Sequence, residues 1–150
     1  ARAAKWGAVY APEGVVGIAP AGGIPGAGRA AILGREFHAL IVSLKYKSSR
    51  AREAPQVFGS APGEVRGKRV LIVDETCDSG DTMRLAVSAI QEAGASEVRT
   101  AVSIRTGAYA PDFHAIATES TIVLPWDREI LVDGELQPNP IYADALKLAD

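Results

Sequence analysis

The chain has 150 residues, 47% of them hydrophobic, and its 16 Lys and Arg against 18 Asp and Glu leave a net charge of −2. That is enough apolar material for one globular domain with its own core, and it lacks the basic excess of a nucleic-acid-binding face, so no nucleic-acid partner is expected. No apolar run approaches the ~18 residues of a membrane span, which argues against a membrane partner, and the single Cys77 excludes an internal disulfide framework.

Along the chain, residues 15–18 form an apolar run of strand character, and residues 25–33 show a helical pattern that Pro25 is suited to open. Residues 37–44 follow as a second strand. The polar stretch 48–67, with Ser48-Ser49, Pro55, Gly59-Ser60 and Pro62-Gly63, is too long for an ordinary connection and is expected to hold a mobile hairpin or lid. Lys45, Lys47, Arg50, Arg52, Arg66, Lys68 and Arg69 crowd residues 45–69 against only Glu53 and Glu64. A local anionic ligand and a solvated charged loop both account for that bias.

Residues 70–73, Val-Leu-Ile-Val, have the β-branched, uninterrupted apolar pattern of a strand buried on both faces of a parallel sheet, and the strand is expected to end at Asp74. From Met83 the apolar positions Met83, Ala86, Val87 and Ile90 fall at helical spacing, and Gly94 suits the helix C-terminus. Residues 98–104 and 113–117 are further strands. After Ser120 the strand signals weaken, with Pro125, Asp133-Gly134 and Pro138-Asn139-Pro140 as breaks and residues 142–148 as a closing helix. Strands alternating with helices predict an α/β fold, a mostly parallel twisted sheet with helices on both faces and ligands beyond the carboxyl ends of its strands.

The chemistry concentrates in Asp74-Glu75-Thr76-Cys77-Asp78-Ser79-Gly80-Asp81-Thr82, between the 70–73 strand and the Met83 helix. Free backbone N–H groups and the positive dipole end at a helix N-terminus suit Ser79 to Thr82 to a phosphate, while the adjacent acids Asp74 and Glu75 can accept hydrogen bonds from two ribose hydroxyls. Cys77 reads as a small packing residue rather than a nucleophile. No G-x-x-x-x-G-K-[ST] loop occurs, and Gly23-Ile24-Pro25-Gly26-Ala27-Gly28 has the wrong spacing for a dinucleotide fingerprint. Neither His38 nor His114 has metal-ligand spacing around it.

This stretch resembles the 5-phosphoribosyl-1-pyrophosphate (PRPP) motif of type I phosphoribosyltransferases: an apolar run, two acids, two variable residues, an acid, and a Thr/Ser-Gly-x-Thr loop. Across nearly the whole chain the order of segments most resembles the small 6-oxopurine enzymes of the xanthine-guanine and hypoxanthine type. The resemblance implies the type I phosphoribosyltransferase fold with a mobile loop and a small C-terminal hood. It implies one domain over residues 1–150, in which 120–150 form the base-recognition segment. The implied activity is transfer of the 5-phosphoribosyl group of PRPP to a purine-like base with release of pyrophosphate, by a homodimer or homotetramer; the lone Cys77 fits a reducing compartment, so a cytoplasmic location is expected. Mg²⁺ is implied as the cofactor, bound mainly through PRPP with Asp74 and Glu75 as protein ligands.

Residue by residue, the resemblance makes Asp78 the general base and assigns ribose and 5′-phosphate to Asp74, Glu75, Thr76, Cys77, Asp78, Ser79, Gly80, Asp81 and Thr82. Ala21, Gly22, Gly23 and Lys45 would bind pyrophosphate, and Arg105, Thr121, Ile122, Trp126 and Asp127 the base. Three positions depart from the family pattern. Pro20, or Ala21 with a one-residue shift, replaces a basic or hydroxyl residue beside pyrophosphate; Arg105 replaces a lysine; Thr121 replaces the aromatic that stacks on the base. Two other readings therefore stay open, a PRPP-sensing module with weak turnover and a transferase for a non-purine heterocycle. The chain starts at Ala1 rather than Met, consistent with a natural N-terminus that lies further upstream, and no signal sequence is expected.

Overall fold

A computed structural model describes residues 10–43 and 54–147. Its elements in chain order are β1 (Gly14–Ala19), α1 (Gly23–Leu33), β2 (Glu36–Ser43), β3 (Gln56–Phe58), β4 (Arg69–Cys77), α2 (Asp81–Glu92), β5 (Glu97–Arg105), β6 (Phe113–Ala117), β7 (Glu129–Val132), β8 (Glu135–Pro138) and α3 (Ala143–Lys147). The chain divides into two compact units, Ala1–Thr118 and Glu119–Asp150.

The first unit is built on a six-stranded sheet in the order β3-β2-β1-β4-β5-β6. All pairings are parallel except the antiparallel edge pair of β2 with β3. The expected mostly parallel α/β sheet is therefore present. Its central strands are buried on both sides, which is why they read as unbroken apolar runs. Val15, Leu71, Val73 and Ala101 pack with Ala30 of α1 on one side. Val16, Leu40, Val70, Ile72 and Val102 pack with Met83, Ala86 and Ile90 of α2 on the other.

β4 runs past the expected end at Asp74 as far as Cys77, because Thr76 and Cys77 keep the parallel register with Ile104 and Arg105 of β5. Polarity at Asp74 and Glu75 does not end a strand whose neighbour still offers partners. Within the expected lid region, the described part holds β3 and a 3-10 turn at Gly63–Val65, whose buried Val65 joins the α2-side core; residues 48–53 lie outside the described residues.

In the second unit Asp133-Gly134, expected to break structure, instead turns a hairpin. Asp133 and Gly134 have φ of 51° and 87°, and β7 pairs with β8 from Glu129↔Pro138 to Val132↔Glu135. Two successive left-handed residues match the right-handed twist of the flanking strands, and Asp-Gly is the dipeptide that tolerates them. The expected closing helix is a 3-10 turn at Pro140–Tyr142 followed by α3.

Candidate active site

The chain passes from β1 to β2 on one side and reaches β4 on the other side of β1, so the connections diverge between β1 and β4. Loops leaving adjacent strands in opposite directions open a crevice at their carboxyl ends. A cavity of about 590 Å³ lies there. Ile18 to Ala21 wall it from β1 and its following loop, Ile41 and Val42 from β2, and Asp74 with Thr76 to Met83 from β4 and the start of α2. The apolar wall from β2 and Met83 was not anticipated from the sequence, since those residues carry only a core signal.

Asp74 and Glu75 do not share this cavity. Asp74 is on its wall, whereas Glu75 is 7% exposed and is not among the lining residues. Successive strand side chains point to opposite faces, which turns Glu75 from the side that Asp74 occupies; only at the very end of β4 do two neighbours, Thr76 and Cys77, both reach the wall. Asp74 Oδ1 accepts the backbone N–H of Glu75 at 2.8 Å. Burial pushes the Asp74 carboxyl up to about 7, reinforced by the nearby charge of Glu75 and opposed by that backbone hydrogen bond. Burial likewise pushes the Cys77 thiol up to about 11, with Asp74 and Asp78 adding to the shift, so Cys77 is a protonated packing residue of the cavity wall.

The 79–82 loop opens α2 through Gly80, whose φ of 85° is left-handed. A Cβ at Gly80 would meet the ring of Tyr109, so the position needs glycine for conformation and for space. The loop is held from the β5–β6 connection. Thr106 N–H donates to Cys77 O at 2.9 Å, Tyr109 N–H donates to Asp78 O at 3.4 Å, and Gly107 lies directly against Asp78. Ser79 Oγ donates to Asp81 Oδ2 at 3.0 Å, so of the loop's two hydroxyls, on Ser79 and Thr82, the first is engaged within the loop. Arg84 and Tyr109 were not singled out from the sequence. Their signal is spatial, with Arg84 one turn into α2 and Tyr109 in a connection without periodicity.

The loop after β1 packs tightly onto β4. A Cβ on Gly22 would sit 2.7 Å from Val73 O and 2.9 Å from Asp74 Cα. The Ala19–Pro20 peptide is cis. Of the three backbone donors expected here, Gly22 N–H donates to Ile18 O at 2.7 Å and Gly23 N–H to Pro20 O at 3.1 Å, which leaves Ala21 as the one of the three on the cavity wall. Pro20, also on the wall, adds no polar side chain.

Residues 9–132 match the family model described as phosphoribosyl transferase domain. The chain belongs to this family. Among curated relatives it is 33% identical over 108 residues to the amidophosphoribosyltransferase of Bacillus subtilis, covering 70% of this chain and 21% of that one. It is 31% identical over 83 residues to the ribose-phosphate pyrophosphokinase of Hyphomonas neptunium, covering 42% and 27%. The chain thus spans about a quarter of the length of the curated relatives it matches. Among solved structures it is similar to the purine phosphoribosyltransferase of Pyrococcus horikoshii, with 28% identity, a TM-score of 0.74 and 87% of each chain covered.

Against the family pattern, Asp74 and residues 76–82 stand together around the cavity, while Glu75 faces away from it. Lys45 lies outside the described residues. Arg105 ends β5 beside Cys77 and its Nε donates to Gly107 O at 3.0 Å; it is not on the cavity wall. Thr121, Ile122, Trp126 and Asp127 belong to the second unit. There Asn139 donates to the Asp127 carbonyl at 2.9 Å and its N–H donates to Arg128 O at 2.8 Å, tying the Pro125–Asp127 turn to the end of the hairpin. Among the described residues no group of three His, Cys, Asp or Glu could hold a metal, and no helix is long and apolar enough to cross a membrane.

Proposed function

We propose that this protein transfers the 5-phosphoribosyl group of PRPP to a ring nitrogen of a purine-like base and releases pyrophosphate. The observation that carries the reading is one cavity, at the divergence of β1 and β4, whose wall joins a carboxylate at Asp74 to the phosphate-type loop 79–82. Membership of the family supports phosphoribosyl transfer. The Pyrococcus purine phosphoribosyltransferase supports a purine as acceptor.

In this reading Asp74 accepts hydrogen bonds from the ribose hydroxyls, and the amides of Ser79, Gly80 and Thr82 with the Thr82 hydroxyl hold the 5′-phosphate at the positive end of α2. Asp78, exposed at the loop, takes the proton of the attacking nitrogen. Ala21 N–H, with Lys45, meets the departing pyrophosphate. Arg105, Thr121, Ile122, Trp126 and Asp127 recognise the base. Much of the rate comes from holding ribose and base in line, so that oxocarbenium-like charge develops at C1 in a site closed to water.

Mg²⁺ fits this donor set as a cation that arrives with PRPP. Asp74 presents a hard oxygen ligand on the wall, and the described residues offer no cage of three. When bound, Mg²⁺ would neutralise charge on the leaving pyrophosphate. The two units act as one phosphoribosyltransferase domain in this reading, with residues 120–150 as its base-recognition segment. A reducing cytoplasm suits the single thiol, and the exposed Ile24 and Ile32 give the expected homodimer or homotetramer apolar surface to bury.

A second reading, a PRPP sensor with little turnover, is favoured by the β1 loop, where Pro20 is apolar and the N–H groups of Gly22 and Gly23 are already engaged. Pyrophosphate release from PRPP and Mg²⁺ across a panel of nucleobases separates the two. Release dependent on one purine supports the transferase, and PRPP binding without release from any base supports the sensor.

A further inference from the structure

We propose that Arg84 makes the 79–82 loop acceptable to phosphate by neutralising Asp81 from a seat on the Tyr109 ring, an inference that rests on reading this loop as the 5′-phosphate cradle. Asp81 is the anomaly in such a cradle. It stands on the cavity wall in the first turn of α2, where its carboxylate draws on the same helix-end field that an incoming phosphate needs. Left unpaired, it would repel a dianion a few ångströms away.

The structure supplies a counter-charge in place. Arg84 Nη1 donates to Asp81 Oδ1 at 3.1 Å and to Ser79 O at 3.0 Å, bridging the acid and the loop backbone. The guanidinium carbon sits 5.1 Å from the centre of the Tyr109 ring, within the range of cation–π attraction. Tyr109 is itself fixed by its N–H to Asp78 O and by its ring against Gly80. The cation is therefore positioned by the same connection that holds the loop. The Asp81 and Arg84 side chains are 65% and 59% exposed, so their pair adds little to folding stability. Its consequence is the potential at the mouth of the loop. Arg84 is accordingly a positioning and charge-balancing residue.

A charge cycle on the full chain tests this, with PRPP affinity measured by calorimetry in the presence of Mg²⁺ for the wild type, Arg84→Met, Asp81→Asn and the double variant. Arg84→Met is expected to weaken PRPP about tenfold, equivalent to about 1.4 kcal/mol. Asp81→Asn is expected to tighten it, and in that background Arg84→Met should cost less than about threefold, because no carboxylate remains to be neutralised. Wild-type affinity in Arg84→Met overturns the inference. So does a tenfold loss that persists undiminished in the Asp81→Asn background, since Arg84 would then act on the phosphate or on the fold directly. Circular dichroism of each variant separates loss of fold from loss of charge balance, and a folded variant that misses the expected affinity counts against the inference. A wild-type protein that binds no PRPP overturns the functional reading, and this inference with it.

Discussion

Asp74 and Glu75 are neighbours in β4 yet serve opposite sides of it: Asp74 faces the cavity and its Oδ1 accepts the Glu75 N–H at 2.8 Å, while the Glu75 side chain is buried away from the cavity. A pair that reads in sequence as two equivalent ribose acids is divided by strand alternation into one ligand-facing group and one built into the fold.

That division makes the two acids separable by stability. A carboxyl raised from 3.8 to about 7 on folding holds its proton more tightly in the folded state. The wild type is therefore favoured fully below about pH 4 and loses that contribution as pH rises towards 7. Asn carries no such ionisation. Asp74→Asn should raise Tm by roughly 3–6 °C at pH 8 and by little at pH 4. Glu75→Ala, which vacates a buried polar position, should lower stability by about 1–3 kcal/mol at neutral pH. Scanning calorimetry at both pH values checks the pair, and an Asp74→Asn Tm below wild type at pH 8 would contradict the account.

How much was legible follows from what each signal reports. The sheet and both large helices were readable because burial on two faces leaves unbroken apolar runs at residues 15–18 and 70–73, and because Met83, Ala86 and Ile90 of α2 keep helical spacing. The motif residues from Asp74 to Thr82 were readable as chemistry. Their division of labour was not, since the end of β4 is decided by its partner β5 rather than by its own polarity. The support from Thr106, Gly107 and Tyr109 was equally hidden, because a connection without periodicity announces no neighbour. Asp133-Gly134 did carry a hairpin signal, and reading it only as a break missed the pairing of β7 with β8.

Asp78 is exposed beside Gly107 and makes its loop contacts partly through its carbonyl. Asp78→Asn should therefore keep the fold and PRPP affinity but lower turnover by about 10²-fold, the scale of a lost general base. Steady-state kinetics with the active base decides this, and unchanged kcat would remove Asp78 from the role.

Gly80 and Gly34 are both left-handed, with φ of 85° and 60°, but a Cβ at Gly34 meets nothing whereas one at Gly80 meets the Tyr109 ring. Gly34→Ala should cost about 1 kcal/mol from backbone strain alone. Gly80→Ala should cost more, about 2–3 kcal/mol, and should also weaken PRPP binding because Tyr109 must move. Equal losses of stability in denaturant titrations, with PRPP affinity intact in Gly80→Ala, would deny the ring its place in holding the loop.

With its thiol pushed up to about 11, Cys77 should alkylate far more slowly at pH 8 than an ordinary exposed cysteine, and PRPP should slow it further by covering the cavity wall. Timed labelling followed by intact-mass measurement provides the check. Rapid labelling that ignores PRPP would contradict both the burial and the placement.

The central claim is that PRPP occupies the cavity between β1 and β4, with Asp74 on its ribose. Calorimetric titration of PRPP with Mg²⁺ into the wild type and Asp74→Asn tests it most directly. The account predicts saturable one-to-one binding by the wild type, weakened at least about tenfold in Asp74→Asn. No binding by the wild type, or affinity unchanged by Asp74→Asn in a folded protein, would contradict it.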